Sequence, residues 1–446
     1  MRWEQKVQYA SQSDIGFRRR NNQDSYVVTL SPDAESFQAR GHLFVVADGM
    51  GGHAVGELAS KICVDTIPHA YFKNRSDDMP TALTAAIHAA NSAVYEKGSQ
   101  NIDFNRMGTT CVSLAIGPEG AVIGHVGDSR LYRVRREQID QLTFDHSLEW
   151  ELIRHGRLKP SERLLPEVKH VITRSIGPEA VAEPEVDGPF PTRPGDAFLL
   201  CSDGLTGLVK DPEIGAITKY LSPVDACRLL INLANLRGGT DNITVIIAQV
   251  GPLPEGVTPT PDEVADDGEE HDAAADQFGW LWLGGLWTSA ITFGLGIVWA
   301  MIQDEEQWRG GALAVISLIA AVVIGTLWRA QRRKQVPAEK KKTESTVLSK
   351  AYRTASAKLT PELLEMLGTL EDDMIQSAAK EEWVYDKPAH ATAHNAAKVA
   401  LEKKQLPAAL KELGDSIDLL MVGLLQHRKT DAAAREAEGK ESKSGH

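Results

Sequence analysis

The chain has little cysteine, few aromatic residues and no excess of positive charge. Its four cysteines, Cys63, Cys111, Cys201 and Cys227, lie far apart in 446 residues, and no two are spaced as CxxC. That argues against a disulfide-stapled scaffold and against a zinc site built on thiolates, and it fits free thiols in a reducing compartment. Residues 1–13 contain no apolar core of a secretory leader, so none is expected. Aromatics make up 6%, and 48 Lys+Arg face 61 Asp+Glu for a net charge of −13. Nothing in that balance points to nucleic acid. Nine of the acidic residues fall within 253–277, which has no Lys or Arg. The acidity is therefore concentrated in one segment and says little about what the rest of the chain binds.

A hydrophobic content of 42% is enough for true cores, and the length predicts two or three domains. The most informative stretch is 42–53, HLFVVADGMGGH. Its apolar run, 43–47, is short, rich in Val and Phe, and ended by a glycine turn, which predicts a buried strand. Asp48 then sits at the strand end, followed by Gly49. The pattern recurs. Residues 198–202 deliver Asp203-Gly204, residues 122–126 deliver Gly127-Asp128, and Asp241 immediately precedes the apolar run 243–248. A single Asp-Gly pair is ordinary turn chemistry. Four such carboxylates at strand boundaries could instead supply the several oxygens that a hard divalent cation needs.

Residues 1–10 alternate loosely and predict a first strand. Residues 13–25, SDIGFRRRNNQDS, mix three arginines with polar groups. Read alone, this is a solvated basic loop. Beside a metal centre, an arginine has another use, because its planar fork grips a phosphate bidentately. Helices are predicted over 55–71, 79–97, 144–155 and most of 211–236. Strands are predicted over 107–116, 121–126, 129–135, 196–200 and 243–250. Residues 157–175 lack a clear period and read as a flexible segment. Closely spaced strands with hairpin-like turns argue for antiparallel sheets carrying helices.

The segments SDIGFRRRNNQD (13–24), ADGMGGH (47–53), MGTT (107–110), GDSRLY (127–132), TFDHS (143–147), ITRSIG (172–177), CSDGL (201–205) and GGTDNITVI (238–246) come in the order found in one family. Over roughly residues 5–250 the chain resembles the metal-dependent protein serine/threonine phosphatases, the protein phosphatase 2C family, in its bacterial form. The resemblance implies an α+β fold with two packed antiparallel sheets flanked by helices, an αββα sandwich. It implies Mn2+ or Mg2+ as cofactor, two ions with a third. Asp48 would bridge the two ions, and the Gly49 carbonyl would bind the first. Asp203 and Asp241 would bind the second, and Asp128 with Asp203 would hold the third. Asp24 would act through bound water. Arg19 matches the phosphate-binding arginine, with Arg18 and Arg20 facing solvent. Residues 157–175 correspond to a mobile flap.

Elementary chemistry agrees with that assignment. A phosphate monoester hydrolyses very slowly, so a catalyst must generate a nucleophile and offset charge. Two cations do both by lowering the pKa of a bridging water and neutralising phosphoryl oxygens. Clustered carboxylates would repel one another without the ions. Arg19 and Asp48 are then the catalytic pair, with Arg19 also orienting the phosphate. Two departures stand out. Gln23 replaces a Glu common in the family, and Met50 stands where eukaryotic members carry a histidine resembling a general acid. The leaving-group acid is therefore unassigned: His53 is a candidate, although a glycine-loop histidine is more often structural, and His146 reads as structural.

Beyond 1–252, read as the phosphatase domain, residues 253–277 read as an acidic disordered linker. Residues 278–302 and 311–328 contain no charged residue over 25 and 18 positions, and six of the nine tryptophans lie between Trp280 and Trp328. Both stretches reach spanning length, so a two-helix transmembrane hairpin is expected. The Arg and Lys that follow Trp328 place that side in the cytoplasm. The expected location is the plasma (inner) membrane, with the phosphatase domain and the C-terminal region both cytoplasmic. Residues 345–430 predict an α-helical C-terminal region, and 431–446 a disordered tail.

The expected partners are phosphorylated proteins, the membrane and, by family analogy, a serine/threonine kinase. An alternative is a phosphoprotein-binding pseudophosphatase or signalling adaptor acting through the C-terminal helices. A missing metal ligand would favour it, and none is missing.

Overall fold

In this computed structural model the described residues are 7–51, 54–73, 78–104, 106–155, 157–158, 171–251 and 351–444, with scattered positions between 288 and 319. The strands in chain order are β1 (Val7–Asp14), β2 (Asp24–Thr29), β3 (His42–Met50), β4 (Gly108–Thr109), β5 (Cys111–Gly117), β6 (Gly120–Val126), β7 (Arg130–Arg135), β8 (Gln138–Gln141), β9 (Glu185–Phe190), β10 (Ala197–Cys201), β11 (Ile243–Val250) and β12 (Arg353–Ser356). One sheet runs β1-β11-β10-β7-β8-β12 and the other β2-β3-β5-β6-β9, with β4 beside β3. The strand pairings among the described residues are antiparallel, as the hairpin spacing predicts.

The apolar run 43–47 is continuous because both faces of its sheet are covered. Phe44 and Val46 point into the space between the sheets, against Leu114, Phe198, Leu200 and Ile246. Leu43, Val45 and Ala47 point the other way, under two long helices that span Ala54–Lys73 and Met79–Ser99. The first helix, α1 (Ala34–Arg40), is capped by Asp33, whose side chain accepts from Ser36 N. Helix α2 (Ala54–Lys73) and α3 (Met79–Ser99) follow. Asp78 caps α3, and the Pro80 predicted at its start lies in the first turn, where no amide hydrogen is needed. Helix α4 (Leu148–Arg154) leads into the flap segment, whose residues 159–170 lie outside the described ones. Short α5 (Asp203–Thr206) leaves β10. Then α6 (Asp211–Tyr220) and α7 (Pro223–Leu236) cover the outer face of the first sheet.

Three more helices, α8 (Pro361–Lys380), α9 (Lys387–Glu402) and α10 (Leu406–Ser444), form the C-terminal region, and α10 corrects the expected disordered tail by running helical through most of 431–446. They do not stand apart. Residues 1–254 and 346–446 form one compact unit, and 255–345 a second. Leu363, Leu367, Leu413, Ile417 and Leu420 join the core built on α6 and α7. Asn232 of α7 donates to Asp418 of α10 at 3.2 Å. Strand β12 adds to the edge strand β8, with Thr354 Oγ1 donating to Asp140 Oδ1 at 2.7 Å. Gly215 has the small size this junction needs, because a Cβ there would meet Ala357 and Ile139 at 2.9 Å.

In the second unit the described helical pieces include 291–295 and 315–319, and Ser317 Oγ donates to Thr292 Oγ1 at 3.0 Å. The expected transmembrane hairpin, 278–302 and 311–328, is corrected here, and with it the inner-membrane location and the membrane as partner. Among the described residues no helix is long and apolar enough to cross a membrane. Most of both stretches, and all of 253–277, lie outside the described residues. Lack of charge was the sequence criterion. A span needs about 20 continuous apolar helical residues, which lack of charge alone does not provide.

The shared core makes a prediction. Leu413, 2% exposed, should cost about 2–5 kcal/mol when cut to Ala. Urea unfolding followed by tryptophan fluorescence should show one transition at lower denaturant, sensed by Trp150 and Trp383 together. Two separate transitions would mean that the C-terminal helices fold independently.

Candidate functional site

At one end of the sandwich the strand ends converge. Asp24 opens β2 and pairs in register with Asp48 near the end of β3. Asp48 is clamped by its backbone: its N–H donates to Thr110 Oγ1 at 2.9 Å, and its carbonyl accepts from Thr110 N at 2.8 Å and Thr109 Oγ1 at 2.9 Å. Gly49 N donates to Gln23 O at 3.1 Å. A Cβ on Gly49 would lie 2.1 Å from the Gly56 carbonyl, so only glycine lets the start of α2 pack this closely. Asp128 follows Gly127, whose φ of +107° makes the turn out of β6. Asp203 begins α5 immediately after β10. Asp241 lies in the loop before β11.

The five carboxylates feel one another. Burial first, then Asp24, Asp203, Asp128 and Asp241, push the Asp48 carboxyl well above its ordinary range. Burial likewise raises Asp24 to about 7, opposed by hydrogen bonds from Thr244 and Ser202 and aided by Asp203 and Asp241. Asp128 is raised to about 8, by burial and then by Asp203 and Asp145. Asp24 Oδ2 accepts from Ser202 Oγ at 2.7 Å, while Oδ1 is buried with no hydrogen-bond partner. Arg19 stands at the rim, half-exposed, its Nη2 2.6 Å from Asp241 Oδ2. That bond, then the charges of Asp241, Asp48 and Asp203, raises its pKa. Arg18 and Arg20 are exposed, as the motif reading expects.

Several residues that hold this arrangement were not singled out in the sequence, although each lies inside a quoted motif. Asn242 joins the two loops: its Nδ2 donates to Ile15 O and Asn21 O, and its Oδ1 accepts from Gln23 N at 2.8 Å. Ser202 and Thr244 brace Asp24. Arg130 and Asp145 link two motifs by a buried forked ion pair, with a shortest distance of 2.6 Å. Both border a cleft of about 50 Å³ that also touches Asp128, Asp203 and Trp150. His53 lies outside the described residues.

His125, His146 and Glu185 bring ligand-type atoms within 4.8 Å of one another. Their hydrogen bonds argue against a metal among them. His146 Nδ1 accepts from Gly127 N at 3.1 Å, so its Nε2 carries the hydrogen and faces Glu185 Oε1 at 3.4 Å. His125 Nε2 donates to Phe144 O at 2.9 Å. Glu185 also pairs with Arg154, just ahead of the flap segment, and with Arg174 at its end. The cluster anchors the turn before Asp128 and both flap ends.

That cluster sets an acid limit. Burial, then His146, lowers His125 to about 4. An unfolded histidine titrates near 6.5, so the unfolded chain binds the extra proton first as pH falls. Stability present above about pH 6.5 should drop by about 2 kcal/mol at pH 5 and about 3 at pH 4. Glu185, lowered to about 2 chiefly by its bond from His146, adds further loss below the ordinary carboxylate range. Urea titrations at pH 7 and pH 5 should show this loss in the native chain and a smaller one in His125→Gln. Equal losses would remove His125 as the source.

The family described as Protein phosphatase 2C matches residues 19–236. Protein phosphatase PhpP of Streptococcus pneumoniae is 36% identical over 242 residues, 53% of this chain and 95% of PhpP. Serine/threonine protein phosphatase PstP of Mycobacterium tuberculosis is 34% identical over 244 residues, 55% of this chain. The match spans only 45% of PstP. Among solved structures, M. tuberculosis PstP/Ppp aligns over 55% of this chain and 99% of its own at 34% identity, with a TM-score of 0.49. The catalytic domain of PstP in complex with 2 manganese ions aligns at 33% identity, over 55% and 98%, with a TM-score of 0.47. Nearly the whole of PhpP is matched, the strand-end carboxylates lie close enough to act on one another, and this chain belongs to the protein phosphatase 2C family.

Proposed function

We propose that this chain is a metal-dependent phosphatase that hydrolyses phosphoserine and phosphothreonine in proteins. The observation that carries this reading is the cluster of Asp24, Asp48, Asp128, Asp203 and Asp241, close enough to act on one another's charge, with Arg19 paired to Asp241 beside it. The donor set is all oxygen, the Asp24, Asp48 and Asp128 carboxyls are raised by burial and then by neighbouring carboxylates, and Asp24 Oδ1 is buried without a partner. Those features fit hard divalent cations, Mn2+ or Mg2+. Asp48 and the Gly49 carbonyl would hold the first ion. Asp48, Asp203 and Asp241 would hold the second, and Asp128 with Asp203 a third, with Asp24 acting through water. Bound there, the ions supply Lewis acidity that lowers the pKa of water and offsets phosphoryl charge.

The chain's own residues do the positioning. Asp241 uses Oδ2 for Arg19 and Oδ1 for Asn242 N. It must exchange Arg19 for another positive partner before that fork can turn to a phosphate. Arg19 then orients the phosphoryl group bidentately. Asn242 keeps the arginine loop and the Asp241 loop in fixed relation during that exchange. Protein kinases for serine and threonine make substrates of this class. The adaptor alternative is not favoured, because every carboxylate the chemistry needs is present.

The test is phosphate release from a phosphothreonine peptide by the full chain. Release should require Mn2+, stop with EDTA, and fall to the EDTA level in Asp203→Asn. A folded, Mn2+-loaded chain that releases nothing would sink the proposal. A second outcome follows from the charge cluster. In EDTA, Asp128→Asn should melt a few degrees above the native chain, because one buried carboxyl is gone. In Mn2+ the order should narrow or reverse, because the native chain gains more from the ions. A variant less stable than native under both conditions to the same degree would mean that Asp128 serves packing alone.

A further inference from the structure

The C-terminal helix α10 reaches the arginine loop. Arg428 lies on α10 and is exposed, with its guanidinium carbon 4.0 Å from the centre of the Phe17 ring. Its Nη2 also donates to the Phe17 carbonyl at 3.2 Å. Phe17 is half-buried and packs on the core that α7 shares with the C-terminal helices. From the other side, the amides of Phe17 and Arg18 both donate to Gly239 O, at 2.8 and 3.0 Å. Gly16, at φ +77°, lies so close to the Asp241 carbonyl that a Cβ would come within 2.2 Å. The loop is therefore held between the Asp241 loop beneath and Arg428 above, and Arg19 is two residues away.

We propose that Arg428 is a positioning residue, which fixes the Phe17 turn so that the Arg19 fork is presented to the substrate phosphate. This rests on the phosphatase reading for its substrate but not for its geometry. The family match ends at residue 236, so the device belongs to the C-terminal part of this chain. Other contacts hold the fold beneath the loop. Asp14 Oδ1 accepts from Gly16 N and Asn235 Nδ2, and Asn242 ties Ile15 and Asn21. None of them restrains the Phe17 ring from the solvent side. A cation–π contact and a hydrogen bond from a charged donor together do that. Because Arg428 is exposed and its removal opens no cavity, the core should survive its loss.

The experiment compares Arg428→Ala and Arg428→Lys in the full chain with Mn2+. For the phosphothreonine peptide, Arg428→Ala should raise KM about threefold to tenfold with kcat within about twofold. Inorganic phosphate, titrated as a ligand of the Mn2+-loaded protein, should bind more weakly by the same factor. Lys should recover part of both losses, because it retains the cation over the ring. In an Arg19→Ala background, Arg428→Ala should add nothing to the loss of phosphate affinity. The melting temperature should be unchanged throughout.

Unchanged phosphate affinity in Arg428→Ala would overturn the proposal. So would an equal loss in the Arg19→Ala background, since Arg428 would then act by some route other than Arg19. If the native chain releases no phosphate from any peptide, the phosphatase reading fails. The phosphate titration still decides whether Arg428 acts through Arg19.

Discussion

Five carboxylates share one end of a β-sandwich, and the rest of the structure serves to keep them there. Their charges oppose one another and burial opposes Asp24, Asp48 and Asp128, so the bonds that fix them work against a local tendency to spread. The fixing is done by backbone. Asp48 is locked by Thr109 and Thr110, and Asp24 is paired in register with Asp48 and braced by Ser202. Glycines at 49 and 127 allow turns and close approaches that any side chain would block. An array built this way cannot relax by rotating side chains out to water. It keeps its repulsion until positive charge arrives, and that repulsion gives it affinity for hard cations.

The C-terminal helices change what counts as the folded unit. A sheet edge such as β8 is a liability when left open. Here β12, from more than two hundred residues further on, covers it. The outer face of α7 is likewise closed by Leu413, Ile417 and Leu420 of α10. Residues near the flap are drawn in as well: Arg353 stacks over Trp150, and Tyr352 packs on Phe144. The C-terminal region thus touches both the arginine loop, through Arg428, and the residues ahead of the flap segment, through Tyr352 and Arg353.

Much of the sandwich was legible because its signals are local. The run 43–47, the capped start of α3 and the Asp-Gly strand ends all announce themselves within a few residues. Strand β12 did not, because Arg353–Ser356 has no apolar pattern and becomes a strand only through its partner β8. Helix α1 was missed for a related reason: seven residues with one capping Asp33 are too short to show a period. At the site, the carboxylates and Arg19 were readable as residue types. Asn242 was not, since its role lies in bonds to residues more than two hundred positions away. The reading of 278–302 and 311–328 as spans is overturned on a different point, because among the described residues no helix is long and apolar enough to cross a membrane.

The two halves of the site are built to different standards, and the chemistry explains why. The groups suited to holding cations are buried, rigid and tied through backbone, because ion affinity depends on fixed distances between oxygens. Arg19 is half-exposed, sits on a loop and is paired with Asp241, which itself belongs to the carboxylate set. An arginine placed so must change partners between states, and a loop held too tightly would prevent that. A loop left wholly free would lose the orientation that makes a bidentate grip useful. The hold on this loop is intermediate: amides bonded to Gly239 on one side, and an exposed cation over Phe17 on the other. The second of these comes from α10. On the proposed reading, the C-terminal helices would bear on phosphate capture through a single turn, the one that Arg428 holds at Phe17.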